Sequence, residues 1–305
     1  MNNPATNDNQ SASNVSIILP AKNESASLQT LLPLLRQQQP EAQIIVVNDG
    51  SNDNTDEICR EIGVEIIKHP YSMGNGAAIK SGARAAKNDI LVFMDADGQH
   101  APEDIVRLLA KLVEGYDMVI GARHFKTQAS LSRGWANAAF NWIASIMTGY
   151  RILDLTSGFR AVRTSYFRKF IYLLPNGFSY PTTITMAFLR SGLAVTYVPI
   201  EARQREGKSH ISMLKDGIRF FIIILKVGTL FSPMRLFFPV SAAFFVLGIG
   251  YYAYTYATVG RFTNMSALLF IYSVLTFLIG IVSEQISALH YKGTEMEHQH
   301  ENRNK

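Results

Sequence analysis

The sequence is poor in several features that would otherwise define a protein at once. A single cysteine, Cys59, stands in 305 residues. That excludes an intrachain disulfide and a cysteine-rich zinc site, and leaves Cys59 as a small apolar filler on a helix. Only 17% of residues are charged and the formal net charge is +5. No basic stripe interleaves with aromatics as in single-strand binders, so nucleic acid is not an expected partner. The Asn- and Ser-rich start, up to about Asn14, lacks the apolar core of a secretory signal, and the main domain is expected to stay in the cytoplasm. Charge is scarcest beyond about Leu236, where it nearly vanishes over two long stretches.

Those stretches, Leu236 to about Thr258 and Met265 to Ser283, are each long enough to cross roughly 30 Å of hydrocarbon. The short link between them carries only Arg261, and the two form a hairpin. Lys215, Arg219, Lys226 and Arg235 precede the first span, and basic residues gather on the cytoplasmic side of a membrane. The expected topology is multi-pass in the plasma (inner) membrane, with the main domain and both termini cytoplasmic. Lys215, Arg219 and Lys226 also fall within about 40° of one another on a helical wheel. A helix of that kind is expected to lie in the interface with its basic stripe toward lipid phosphates. Two spans without an intramembrane ionisable cluster give no transport pathway, and Glu284 lies near the membrane edge.

The first two hundred residues read differently. Val15 to Leu19, ended by Pro20, and Ile44 to Val47 are short apolar runs of the kind found in covered parallel sheets. Val64 to Ile67, Ile90 to Met94 and Met118 to Ile120 continue the series. Helices alternate with them. Leu28, Leu31, Leu32 and Leu35 have helical spacing, although Pro33 is expected to kink or shorten that helix. Thr55 to Ile62 and the segment opened by Gly74, Asn75 and Gly76, running to about Ala86, follow. The next helix has Pro102, Glu103 and Asp104 in its first turn and Gly115 beyond its end. Thr127 to about Val198 is less regular, with helices near Trp135 to Met147 and Thr182 to Arg190. The alternation implies an α/β fold with a doubly wound, mostly parallel sheet. The expected organisation is a disordered N-terminus (1–14), a main domain (15–209), amphipathic juxtamembrane helices (210–235), the hairpin (236–289) and a tail (290–305).

Ligands of such sheets bind at the carboxyl ends of the strands. Three polar clusters fall there: Pro20 to Glu24, Asn48 to Ser51, and Asp95 to His100. Each alone is an ordinary turn or helix cap; three at one edge point to a site. Gly98 permits a turn that lets Asp97 and Gln99 present oxygens together. Hard oxygen donors suit Mg²⁺ or Mn²⁺ bridging a diphosphate. Asp49 and Glu24 are placed to accept hydrogen bonds from a base or ribose.

With these motifs in place, the sequence resembles family 2 glycosyltransferases of the GT-A fold, especially the dolichyl-phosphate mannose synthase-like group that uses polyprenyl phosphates. The resemblance runs from Val15 to about Leu289. It rests on Pro-Ala-Lys-Asn-Glu, Asn-Asp-Gly-Ser, Gly-Asn-Gly-Ala-Ala, Asp-Ala-Asp-Gly-Gln-His, Gly-Ala-Arg, Asp-Leu-Thr-Ser-Gly-Phe-Arg and Gly-Lys-Ser-His. It implies that Pro20, Glu24, Asp49 and Asp95 hold the nucleotide-sugar, and that Asp95, Asp97 and Gln99 hold metal and diphosphate. Arg123 matches the arginine that grips the lipid phosphate, with Arg133 and Asn137 as the next acceptor-binding pair. Asp154 matches an acidic position that orients acceptor or sugar, against the alternative of a structural loop carboxylate. Many members carry Arg-x-x-Gly-x-Ser-Lys after the last strand. The equivalents here are Gln204, Gly207, Ser209 and His210, flanked by Arg203 and Arg205, either of which could restore the missing charge.

The implied reaction is inverting transfer of a hexose from a nucleotide-sugar to a polyprenyl phosphate at the cytoplasmic face. Donor, acceptor lipid and bilayer are the implied partners, and a homo-oligomer is left open. A processive polysaccharide synthase would need Gln-x-x-Arg-Trp, and neither Trp135 nor Trp142 has that context. A nucleotidyltransferase would need a glycine-rich basic first loop. A catalytically silent membrane scaffold, an accessory lipid-binding subunit, and a glycosyltransferase with a different acceptor stand as the alternatives.

Overall fold

The computed structural model describes residues 14–123, 131–177, 179–201, 225, 228, 229 and 232–303; over 131–137, at 139 and over 290–303 it describes the backbone alone. The chain divides into two compact units, Met1–Trp142 with Arg151–Phe220 and Ile143–Tyr150 with Phe221–Lys305.

The first unit is built on a seven-stranded sheet. In chain order its strands are β1 (Val15–Ala21), β2 (Gln43–Asn48), β3 (Glu65–Lys68), β4 (Ile90–Phe93), β5 (Met118–Arg123), β6 (Arg160–Arg163) and β7 (Val195–Ile200). Their spatial order is β3-β2-β1-β4-β6-β5-β7. The β1–β2, β1–β4, β2–β3 and β5–β7 pairs are parallel. Strand β6 runs antiparallel to both β4 and β5. Val15, Ile17, Ile18 and Leu19 of β1 are all fully buried, as expected of a strand covered on both faces. Pro20 lies inside β1, where its missing N–H costs nothing to the ladder on the β4 side. That ladder stops at the pairing of Ile18 with Phe93.

The helices follow the apolar spacing. Helix α1 (Ser25–Gln38) buries Leu28, Leu31, Leu32 and Leu35, each worth about 1.5–3 kcal/mol against leaving it exposed. Pro33 does not shorten α1, which runs on to Gln38; the four-leucine face outweighs one missing backbone bond. Helix α2 (Thr55–Ile62) stops at Gly63, whose φ of +74° turns the chain so that the Val64 N–H reaches the Cys59 carbonyl at 3.1 Å. Cys59 is buried here, and desolvation together with the Asp56 charge pushes its thiol up to about 11, so it is a filler. Helices α3 (Asn75–Ala85) and α4 (Asp104–Val113) come next. Ile105, Leu108, Leu109 and Leu112 of α4 are buried. Helix α5 (Leu131–Thr148) is longer than the expected Trp135 to Met147; α6 (Thr164–Lys169) and α7 (Tyr180–Arg190) flank a short 3₁₀ turn at Ile171–Leu173.

The second unit holds α8 (Pro233–Val259) and α9 (Asn264–Arg303). Pro233–Val259 and Asn264–Leu289 are long and apolar enough to cross a membrane, and most of their side chains are exposed, unlike the core helices of a soluble domain. The two pack closely where side chains are small. Ser241 Oγ donates to the Ser273 carbonyl at 2.9 Å and Ser273 Oγ returns the bond to Ser241 at 3.0 Å. Gly248 faces Phe270, and Gly280 faces Phe237 and Met234. Glu284 takes a specific part: its Oε2 accepts the Met234 N–H at 3.3 Å, at the start of α8, where negative charge favours a helix. Arg235 donates to the Ile146 and Met147 carbonyls, both at 3.1 Å, satisfying the carboxyl end of α5. Backbone helix continues from the second span through Arg303.

Candidate active site

The parallel strands β1, β2, β4 and β5 end at one edge of the sheet. Because β6 is antiparallel, with Arg160 paired to Phe93, the segment entering it (Asp154 to Phe159) arrives at that same edge. The sheet order therefore gathers the ends of β4 and β5 and this incoming segment.

At the ends of β1 and β2 two loops clasp each other. The Asn23 N–H donates to Ser51 Oγ at 3.0 Å, and Asn23 Oδ1 accepts the Asn52 N–H at 2.9 Å. Asn23 has a φ of +56°, a conformation asparagine tolerates better than most residues. Asp49 is buried and its carboxylate is fully engaged. Oδ1 meets His69 Nδ1 and the Met73 N–H, each at 2.7 Å. Oδ2 accepts from Ser72 Oγ at 2.8 Å and the Gly74 N–H at 2.9 Å. Burial alone would raise its pKa, but the bonds from His69, Met73, Gly74 and Ser72 together hold it below the ordinary value. Asp49 thus latches the 72–74 loop. His69, buried and linked on its other nitrogen to Ser81 Oγ at 2.9 Å, had no signal in the sequence.

The glycine-rich start of α3 is filled by protein. A side chain at Gly74 or Gly76 would collide with the backbone carbonyls of Asn176 and Pro175. The Ala77 N–H donates to the Asn176 carbonyl at 3.1 Å, and Lys80 Nζ reaches the Leu174 carbonyl at 3.0 Å. These glycines serve close chain approach.

Asp95 to His100 follow β4. Gly98 has a φ of +73°, the turn anticipated between the two aspartates and Gln99. The Gln99 N–H donates to Asp97 Oδ1 at 3.1 Å, which fixes the turn. His100 is buried and stacks on Phe159, centroids 4.9 Å apart and planes 15° off parallel. Its Nδ1 has no hydrogen-bond partner. Burial pushes its pKa down to about 4 against the opposing pull of Asp97, and the Arg123 charge adds to the fall; the ring is neutral near pH 7. Among the described residues no three His, Cys, Asp or Glu side chains gather into a metal cage.

Arg123 ends β5 and is gripped by Asp154. Its Nε and Nη2 donate to the two Asp154 oxygens at 2.8 and 3.0 Å, and Nη2 also reaches Thr156 Oγ1 at 2.7 Å. Asp154 further accepts the Thr156 and Ser157 N–H groups, both at 3.1 Å. Burial would raise the Asp154 pKa; the Arg123 hydrogen bond and charge outweigh it and hold the carboxylate ionised. The Arg123 side chain is 28% exposed against 5% for Asp154. The pair is therefore a cation presented outward by a buried anion.

Of the residues singled out from sequence, Asp95, Asp97, Gln99, Arg123 and Asp154 cluster around the β4 and β5 ends. Pro20, Glu24 and Asp49 lie at the neighbouring β1 and β2 ends. Arg133 and Asn137 lie on the α5 backbone, with side chains outside the described residues; Arg203, Arg205, Ser209 and the stretch 210–224 also lie outside them.

A mostly parallel sheet with acidic turns and an aspartate-held arginine at one edge defines a GT-A glycosyltransferase. Residues 16–172 match the model described as Glycosyl transferase family 2, and the chain belongs to that family. Residues 232–289 match the GtrB C-terminal hairpin. The chain is similar to the undecaprenyl-phosphate mannosyltransferase of Micrococcus luteus, 32% identical over 64% of this chain and 86% of that protein. It is also similar to glycosyltransferase AglJ of Haloferax volcanii, 26% identical over 90% of this chain and 94% of its relative. Glucosyl-3-phosphoglycerate synthase from Mycobacterium tuberculosis, solved with Mn²⁺, uridine diphosphate and glucosyl-3-phosphoglycerate, shares the fold. Its TM-score is 0.59 at 20% identity, over 74% of this chain and 86% of that one.

Proposed function

We propose that this enzyme moves a hexose from a nucleotide-sugar, GDP-mannose or a UDP-sugar, to undecaprenyl or dolichyl phosphate at the cytoplasmic face of a membrane. The observation that carries the reading is the Arg123–Asp154 pair, which offers an oriented cation beside the Asp95–Gln99 turn in a chain with an apolar helical hairpin. The name of the Micrococcus luteus relative, an undecaprenyl-phosphate mannosyltransferase, supports the same acceptor class.

In this reading Pro20 and Glu24, with the loop latched by Asp49, hold the nucleotide, and Asp95 faces the diphosphate. The donor types at Asp97, Gln99 and Asp95, carboxylate and amide oxygens, fit Mg²⁺ or Mn²⁺, and the Gly98 turn keeps Asp97 and Gln99 together through the Gln99 N–H bond to Asp97 Oδ1. One or two carboxylates completed by substrate phosphate oxygens are the usual surroundings of such ions. When bound, the ion neutralises charge on the departing nucleoside diphosphate. Arg123 binds the lipid phosphate, with Arg133, Asn137 and Ser209 joining it, and Arg203 or Arg205 supplying the charge absent at Gln204. Asp154 keeps the Arg123 fork aimed. The acceptor phosphate is ionised near neutral pH, so its oxygen attacks the anomeric carbon without a strong general base. The bond from that carbon to the diphosphate breaks on the opposite face, with inversion. Catalysis then rests on orientation and charge stabilisation. Residues 15–209 form the catalytic domain, 210–235 lie in the interface, 236–289 span the bilayer, and 290–305 return to the cytoplasm.

A donor panel tests this. Full-length protein in detergent is mixed with undecaprenyl phosphate, Mn²⁺ and radiolabelled GDP-mannose, UDP-glucose or UDP-N-acetylhexosamine, and lipid is extracted. Label in the organic phase from one donor supports the reading and names the sugar; none from any donor, with nucleotide binding intact, overturns the acceptor. Asp97→Asn is expected to lower transfer by about 100–1000-fold while leaving membrane insertion intact.

A further inference from the structure

One buried cation has no part in the chemistry above. Arg160 opens β6 and is fully buried. Its Nη1 donates to the Pro181 carbonyl and to Thr185 Oγ1, both at 3.2 Å, and Nη2 donates to the Ser157 carbonyl. Its Cζ lies 5.8 Å from the centre of the Tyr180 ring. Nε has no acceptor, and among the described ion pairs none joins Arg160 to a carboxylate. Guanidinium stays protonated in proteins, so a permanent charge is sealed in without a direct counter-ion, an arrangement that carries a large desolvation cost.

The segment it holds explains what that cost sustains. Ser157, whose carbonyl Arg160 grips, precedes Gly158 and Phe159. Gly158 lies so close to Asp95 that an added Cβ would sit 2.9 Å from its Oδ2 and 3.2 Å from Oδ1. Tyr180 donates its hydroxyl to the Gly158 carbonyl at 3.3 Å. Phe159 stacks on His100, which ends the Asp95–His100 turn, and the Phe159 carbonyl accepts the Gly121 N–H of β5 at 2.9 Å. Two consecutive residues, Gly158 and Phe159, therefore touch the turn at both ends and tie it to β5.

We infer that Arg160 is a positioning residue for the nucleoside diphosphate: by fixing the Ser157 carbonyl it sets Gly158 against Asp95 and so holds that carboxylate where the donor meets it. The inference rests on the donor-side role given to Asp95 above.

Binding of GDP and UDP with Mn²⁺ to the full-length protein in detergent, measured by calorimetry beside thermal melting, tests it. Gly158→Ala is the sharp probe, because the heavy atoms nearest its Cβ are those of the Asp95 carboxylate. Arg160→Met removes the charge at similar size, and Arg160→Lys keeps the charge but loses the fork. Arg160→Met and Gly158→Ala are each expected to weaken binding by the folded protein about tenfold. Arg160→Lys should recover part of that loss, and the double variant should bind no worse than its weaker-binding single. A merely structural Arg160 would lower the melting point and leave the affinity of the folded fraction unchanged, which overturns the inference. So does wild-type affinity in Gly158→Ala. Should Arg160→Met fail to fold, Arg160→Lys and Gly158→Ala decide on the same criteria. Wild-type protein that binds neither nucleotide overturns the donor reading itself, and the inference falls with it.

Discussion

Asp49, at the end of β2, and Asp154, at the entry to β6, are buried to nearly the same degree, 5% and 4% exposed, and both carboxylates are filled with hydrogen bonds. Their partners differ. Asp49 takes two backbone N–H groups, a serine and a histidine, all from the 69–74 segment after β3. Asp154 takes backbone N–H groups and the two-pronged guanidinium of Arg123. The first spends its charge on folding a loop. The second spends it on aiming another charge outward. Burial and saturation alone thus say little about function; the identity of the partner, and whether it reaches solvent, separates the two.

Substitutions can break this contrast. The largest effect is expected at the aimed cation. Arg123→Ala should lower transfer efficiency toward the lipid acceptor by about 100–1000-fold, with nucleotide binding little changed in a titration. Equal losses on both substrates would end the distinction. Asp154→Asn comes next, because it leaves Arg123 in place without its counter-charge. It should cost about 3 kcal/mol of stability by denaturant unfolding and lower acceptor-side activity of the folded protein about 10–100-fold. Asp49→Asn should cost about 1–3 kcal/mol, since one amide nitrogen must then face two donors. At saturating donor its turnover should stay near that of the parent, as a loop latch requires.

A finer test uses acid. Both carboxylates are held below the ordinary value of 3.8, burial pushing each up and its hydrogen bonds pulling it further down. A depressed folded-state value stabilises the fold above the unfolded one, and that contribution disappears as pH falls through the depressed value. Melting temperature should therefore drop below about pH 4. The drop should be shallower in Asp49→Asn and in Asp154→Asn; an unchanged acid profile in either would mean its carboxylate is not held as described.

Much of the fold could be read from the sequence, for physical reasons. Helix α2 lies at Thr55–Ile62, where the sequence reads as helical, and the covered strands β1, β2 and β4 announce themselves as short apolar runs, broken in β1 only by Ser16. Strand β6 does not: four residues with arginine at both ends look nothing like the middle of a sheet, and only its pairing with β4 and β5 makes it one. At the site, Asp97 and Gln99 are legible because Gly98 between them is. The grip of Asp154 on Arg123 joins residues 31 apart, and His69 and Arg160 act through contacts set by the whole sheet. No local pattern carries those. The resemblance to a family named Arg123 and Asp154 but not that one holds the other.

The sheet order also sets a timetable. As the chain leaves the ribosome, β1 to β4 have all their mutual partners within the first 93 residues and form the β3-β2-β1-β4 block. Strand β5 does not join that block. Its partners are β6 and β7, so Met118–Arg123 is linked to the block only once Arg163 has been made, and its other edge is covered only once Ile200 has. Pairing at such separations is slow, and the next apolar stretches to emerge are Phe220 to Leu225 and then α8. The sheet that carries Arg123 is therefore completed only after Ile200 is made, shortly before the long apolar helices of the second unit begin to appear.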